Sequence, residues 1–354
     1  MNRAMKLAKV AAIAVIQIVW VSGACAADTK YEVKPINLPG ATGAVALDYF
    51  AYDRTTGKVW VPASNIGTVD VIDEKTDAVS EIAGFPTGEI ERRGRKITVG
   101  PTATSIGDGV IYIGDRAEAT LCVIDAKTLA RGECVPVSAG RAVTPDGVVY
   151  VAAARELWIT TRPALGSDPA AAKSLQVFDA TDPRHLKWKA KIALDGLAEG
   201  YAVDEQRGLF YTNIEDTSAT VAIDVRTHNI VAKWNPGSSD LQGLALDAAR
   251  RFLFVACGDH VVSLNAGHGG KVLDSITTGP GLDNIDYSTD AKLLYAAASQ
   301  AATLTIAEVG DNGKFHLKAT VPTVKGARGV VAAKGETAYL MDPAEGRILK
   351  LTRK

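Results

Sequence analysis

Residues Gly57–Thr76 read GKVWVPASNIGTVDVIDEKT: a turn glycine, a short apolar run, a polar break, and a second apolar run closing on Val-Ile-Asp. The chain repeats this wording. Ala51–Asp73 carries it as AYDRTTGKVWVPASNIGTVDVID, and Ser105–Asp125 as SIGDGVIYIGDRAEATLCVID. Further copies span Val143–Asp179, Ala202–Asp224, Ala245–Asn265, Asp286–Glu308 and Val331–Leu351. Seven copies at a spacing of roughly 40–50 residues match the period of propeller blades.

Each copy has the same parts. A strand of small residues leads to an Asp/Gly turn, and an alternating strand such as LFYTN follows. A third strand closes on a V-x-D phrase, and a polar turn leads to a fourth such as NIVAKW. Four antiparallel strands make a blade, and a closed ring of blades leaves only short, protected edges. The last copy lacks a fourth strand, while YEVKPINLP (Tyr31–Pro39) precedes the first copy and reads as a spare one. The expected fold is therefore all-β, a seven-bladed β-propeller of four-stranded antiparallel blades, closed by an N-terminal strand.

Of 354 residues, 47 % are hydrophobic and 22 % charged, with a net charge of −1. That is globular composition, and it argues against a basic nucleic-acid binder. The chain opens with Arg3, Lys6 and Lys9, then the apolar run Val10–Val21, then Ala24-Cys25-Ala26. This is the order of a secretory signal peptide, residues 1–26, with residues 27–354 as a single propeller domain. The rival readings are a retained membrane anchor, or a lipid on Cys25. After cleavage no membrane span is expected, and the location is periplasmic or secreted. Such a compartment is oxidising. Cys122 and Cys134 flank VIDAKTLARGE, which reads as a hairpin. If the register opposes them they form a disulfide; a one-residue slip leaves two thiols on opposite faces. Cys257 reads as a buried structural thiol.

The wording of the copies resembles the YVTN-repeat (YncE-like) family of exported seven-bladed β-propellers. The residues that carry the resemblance are Val59-Trp60-Val61-Pro62 with Val71-Ile72-Asp73, Ile111-Tyr112-Ile113 with Val123-Ile124-Asp125, and Leu209-Phe210-Tyr211-Thr212-Asn213 with Ala222-Ile223-Asp224. The resemblance implies a fold and leaves the function open, because these are turn and core residues.

Function is sought where the copies differ. Two insertions, Ala83–Thr102 and Ala152–Ser174, are expected on the face that carries the inter-blade loops. The first contains Arg92 and Arg93, which suit an anionic group. The second contains Trp158, either a ligand-stacking partner for its neighbouring arginines or an anchor of the loop. A second candidate is the residue ahead of each innermost strand, at the channel mouth. The alignment gives Asp48-Tyr49, Glu199-Gly200, Gln242-Gly243, Asp283-Asn284 and Ala327-Arg328, with Arg141 near the same tier. Three readings stand there: an internal ion-pair ring in which Arg141 and Arg328 satisfy the acids; a ligand site; or a divalent-cation site, calcium or another, held by Asp48, Glu199 and Asp283.

The five histidines do not recur at the mouth, and His185 and His228 are expected to be exposed on the opposite face. The leading expectation is a monomeric exported binding propeller for a small polar or anionic ligand or a protein partner. Its proposed contacts are Arg92, Arg93, Arg141, Glu199, Tyr201, Gln242, Asp283, Asn284 and Arg328. The alternatives are a metal-assisted lactonase or hydrolase, in which the metal polarises a carbonyl, and a protein-interaction scaffold without a small-molecule site.

Overall fold

A computed structural model describes residues 30–92 and 94–354. The expected signal peptide and Arg93 lie outside the described residues, and nothing is described of the Arg92 side chain.

Seven four-stranded antiparallel sheets form the blades. Blade 1 comprises Ala51–Asp53, Lys58–Ala63, Thr68–Asp73 and Val79–Ile82. Blade 2 comprises Pro101–Gly107, Val110–Asp115, Thr120–Asp125 and Arg131–Pro136. Blade 3 comprises Val143–Val151, Glu156–Pro163, Ser174–Asp179 and Lys187–Ala193. Blade 4 comprises Ala198–Asp204, Leu209–Ile214, Ala219–Asp224 and Ile230–Trp234. Blade 5 comprises Leu241–Asp247, Phe252–Cys257, His260–Asn265 and Lys271–Thr277. Blade 6 comprises Leu282–Ser288, Leu293–Ala298, Thr303–Val309 and Phe315–Pro322. Blade 7 takes Val330–Ala332, Ala338–Asp342 and Arg347–Arg353 from the C-terminus, and its outer strand is Tyr31–Asn37. That strand pairs in register from Tyr31↔Arg353 to Asn37↔Arg347, so the ring is closed by the N-terminal strand.

The core lies between blades. In blade 1, Val59, Val61 and Ile72 pack with Tyr339 and Met341 of blade 7, while Trp60, Val69 and Val71 pack with Ile111 and Ile113 of blade 2. The period-two alternation of each strand thus serves two interfaces rather than a core and a solvent face. The closing aspartates are turn punctuation. Asp73, Asp125 and Asp224 each accept two backbone N–H bonds from the following turn. The turn then needs a left-handed residue, supplied by Asp77, Leu129 and His228.

Blade 3 departs from the sequence reading. Glu156–Pro163 is its second strand, so the inserted loop is only residues 164–173. Trp158 is fully buried, stacks on Phe210 at 4.7 Å, and donates its indole N–H to Glu156 at 2.8 Å. It anchors the interface of blades 3 and 4 and is not available to a ligand. His228 is also no exposed turn residue. Its Nε2 lies 3.0 Å from a Glu156 oxygen and its ring meets Trp158 edge-on. The first insertion folds as a separate hairpin, Gly88–Arg92 with Arg95–Val99, beside blade 1. Its base is tied where Gly100 donates to the Ser64 hydroxyl at 2.8 Å.

Candidate functional site: the closed channel mouth

Asp48, Asp146, Glu199, Asp283 and Arg328 belong to one tier of ion pairs at the inner strands; strand register aligns Asp146, Gln242 and Asp283 with Gly200, so Glu199 stands one residue ahead of them. In blades 3 to 6 the inner strand bulges at this level, with register shifts beside Asp146-Gly147, Gly200-Tyr201, Gln242-Gly243 and Asp283-Asn284. A bulge re-aims the side chain it carries, here toward the axis. Space here is small, and Gly200 shows why: at φ +65° its added Cβ would stand 2.6 Å from the Gly243 Cα.

The acids on the tier are held by arginines. Arg328 bonds Asp283 at 2.7 Å and approaches Asp48 at 3.6 Å. Arg116, at the end of the second strand of blade 2, meets Asp146 at 2.5 Å and Asp48 at 4.0 Å. Arg162, from the second strand of blade 3, bridges Asp146 at 3.1 Å, Glu199, and Glu215 at 2.7 Å. Tyr49 crosses the axis from blade 1 to blade 4. Its hydroxyl donates to Glu199 at 2.8 Å, and its ring stacks on Tyr201 at 5.5 Å. Tyr201 in turn donates to the Val148 carbonyl at 2.9 Å. Below this plug lies a cavity of about 160 Å³ lined by Phe50, Leu244, Asp286 and Met341 among others.

Five carboxylates, Asp48, Asp146, Glu199, Glu215 and Asp283, face three guanidiniums. Burial, with neighbouring acids adding to it, pushes Asp48 up to about 6 and Glu199 well above the usual carboxylate range. Burial likewise raises Asp283. Asp48 pushes Arg328 further up against the burial that opposes it. A guanidinium shared between two buried carboxylates has few donors left for an incoming anion.

The sequence-predicted residues therefore divide. Asp48, Glu199, Asp283, Tyr201 and Arg328 come together in one network. Gln242 stands on the same tier but spends its amide on Asp240 at 2.8 Å, while Asn284 donates its backbone N–H to the Arg328 carbonyl at 3.2 Å. Arg141 does not join: its guanidinium pairs with Glu118 at 2.6 Å on the exposed rim between blades 2 and 3. The counter-ions that the sequence reading gave to Arg141 are supplied by Arg116 and Arg162. Sequence reasoning missed these two and Asp146. Asp146-Gly147 repeats the polar–Gly dipeptide of Gln242-Gly243 at the same register position, and that signal marks it as the blade 3 member of the tier. Among the described residues, no group of three or more His, Cys, Asp or Glu side chains is arranged to hold a metal ion.

A disulfide joins Cys122 to Cys134, which oppose each other in the register of blade 2. Cys257 is buried, and burial raises its thiol to about 11.

No family model matches the chain, and no curated protein is similar to it in sequence. Solved structures do match over nearly its whole length. A chain of the mitotic checkpoint complex covers 100 % of this chain and 99 % of its own, at 13 % identity and a TM-score of 0.71. The structure of U3-55K covers 90 % and 98 %, at 9 % identity and a TM-score of 0.68. Hydrazine synthase of Kuenenia stuttgartiensis covers 90 % and 99 %, at 14 % identity and a TM-score of 0.66. At such identities the likeness establishes the fold alone: this chain is a seven-bladed β-propeller.

Proposed function

We propose that this chain is an exported binding propeller of the YVTN type that holds a protein partner on the face bearing the Gly88–Val99 hairpin. The observation that carries the reading is the saturation of the channel mouth. Tyr49 and Tyr201 close the axis, and three arginines are shared among the tier's carboxylates, so the accessible polar surface is on the loops around the mouth. The hairpin presents exposed Glu89, Glu91, Arg95 and Lys96 above a base anchored to Ser64. Long ordered loops on a rigid scaffold are where binding residues concentrate. One of the similar structures is a component of the mitotic checkpoint complex, a multi-protein assembly by its name. Export is supported by the N-terminal signal-like segment and by the Cys122–Cys134 disulfide.

The test replaces Gly88–Val99 by two glycines and compares partner capture from the exporting compartment with that of wild type and of Glu199→Gln. The hairpin deletion should abolish capture at an unchanged melting temperature, and Glu199→Gln should leave capture intact. Loss of capture in Glu199→Gln alone would return the site to the channel mouth. Amino-terminal sequencing of the mature protein tests export, which predicts a start at Ala27.

A further inference from the structure

A groove of about 900 Å³ lies where blade 2 passes into blade 3, and none of its lining residues belongs to the channel-mouth network or to the hairpin. Its floor is Trp188, on the outermost strand of blade 3. This indole is 56 % exposed. Its N–H is already used, donated to the Gln176 side-chain oxygen at 3.0 Å, which fixes the ring as a platform. The facing wall is apolar, formed by Pro136, Ala142, Val143 and Ala171.

Two cations line the groove with Trp188. Lys191 is exposed and has no ionic partner among the described residues. Arg141 lines the same groove, and Glu118 occupies part of its guanidinium at 2.6 Å. The Ser138 hydroxyl, also in the groove, is buried without a hydrogen-bond partner among the described residues. A fixed aromatic platform, an apolar wall and an uncompensated positive charge are complementary to a segment with an apolar side chain beside acidic ones. The lining runs through consecutive residues Ser138–Val143 as well as the outer strand of blade 3, and an extended chain can lie against such a border.

We propose that the groove between blades 2 and 3 docks an extended acidic peptide segment, its apolar side chain on Trp188 and its carboxylates at Lys191 and Arg141. This goes beyond the hairpin-face reading and uses none of its residues.

The test is fluorescence anisotropy on the full mature protein with three labelled peptides: Gly-Asp-Glu-Phe-Asp-Gly, its amide counterpart Gly-Asn-Gln-Phe-Asn-Gly, and its basic counterpart Gly-Lys-Lys-Phe-Lys-Gly. The acidic peptide should bind at least about tenfold more tightly than the other two, with affinity falling as salt is raised. Trp188→Ala and Lys191→Glu should each weaken it about tenfold, and Trp188→Phe should retain most of the affinity. Both tested side chains are exposed, so the variants should melt with wild type. The hairpin-deleted protein should bind the acidic peptide unchanged. Equal binding of all three peptides would mean a site for apolar molecules in general and would overturn the proposal. So would the absence of saturable binding by the acidic peptide, unchanged affinity in Trp188→Ala, or loss of binding in the hairpin deletion. The last result would place the peptide on the hairpin face instead.

Discussion

Asp70 is a costly side chain in the core of blade 1. It sits on the third strand of blade 1, fully buried, opposite Glu81 in the register, and neither of its oxygens receives a hydrogen bond. Burial, and then the Glu81 charge, raise it from the ordinary 3.8 to about 7. A folded-state value above the unfolded one means that the folded chain holds this proton more tightly. The stability is fully present below pH 3.8 and is lost as pH rises through about 7. At about 1.4 kcal/mol per unit the full loss is about 4 kcal/mol, of which about 2 kcal/mol has already been lost at pH 5. The other blades show a substitute that fits: the equivalent position holds Val221 in blade 4 and Val262 in blade 5. Asp70→Val should therefore stabilise the protein at pH 8, and its advantage over wild type should grow by about 2–3 kcal/mol between pH 5 and pH 8. The assay is urea unfolding of both proteins at the two pH values, followed by tryptophan fluorescence. Contributions from titrating groups that do not interact with Asp70 cancel in the difference. An advantage that is the same at both pH values, or a variant less stable than wild type at pH 8, would refute the reasoning.

Three further outcomes are expected. Arg162→Met leaves Asp146, Glu199 and Glu215 without their shared cation and should cost about 3 kcal/mol in urea unfolding, part of it recovered by adding Glu199→Gln; a cost below about 1 kcal/mol would show that the network is idle. Deleting Tyr31–Leu38 bares the edge of Arg347–Arg353 and should lower the melting temperature by at least about 10 °C, and an unchanged temperature would refute closure by that strand. Reducing Cys122–Cys134, a loop with a sequence separation of 12, should cost about 3 kcal/mol, and free thiols at both positions in peptide maps of unreduced protein would refute the bridge.

Blade 3 shows where reading the repeat went astray. Its first strand is nine residues long and carries the Asp146-Gly147 bulge, so GVVYV has the wording of a second strand in the other copies although it ends the first. The true second strand, ELWITTRP, was then absorbed into an insertion, and Trp158 with it. The error also hid Asp146 and Arg162, which belong to these two strands. In blades 1, 4 and 7 the polar residue ahead of the inner strand was legible, and Asp48, Glu199 and Arg328 do meet at the axis.

The sequence by itself determined the blades, their number, the N-terminal closure and the aspartate turns. Those features are local: a short apolar strand run recurs in every copy, and in blades 1, 2 and 4 a closing carboxylate bonds to backbone two and three residues ahead. Only the tertiary structure decided what the axis does. Tyr49 reaches Glu199 across a sequence separation of 150, and Arg162 serves three acids at once. Trp188 lies on a groove that also takes in Pro136 of blade 2 and the segment joining blades 2 and 3. Which charges meet there depends on how each bulge re-aims its side chain and on which ring fills the space that glycines leave. No repeat period encodes that geometry.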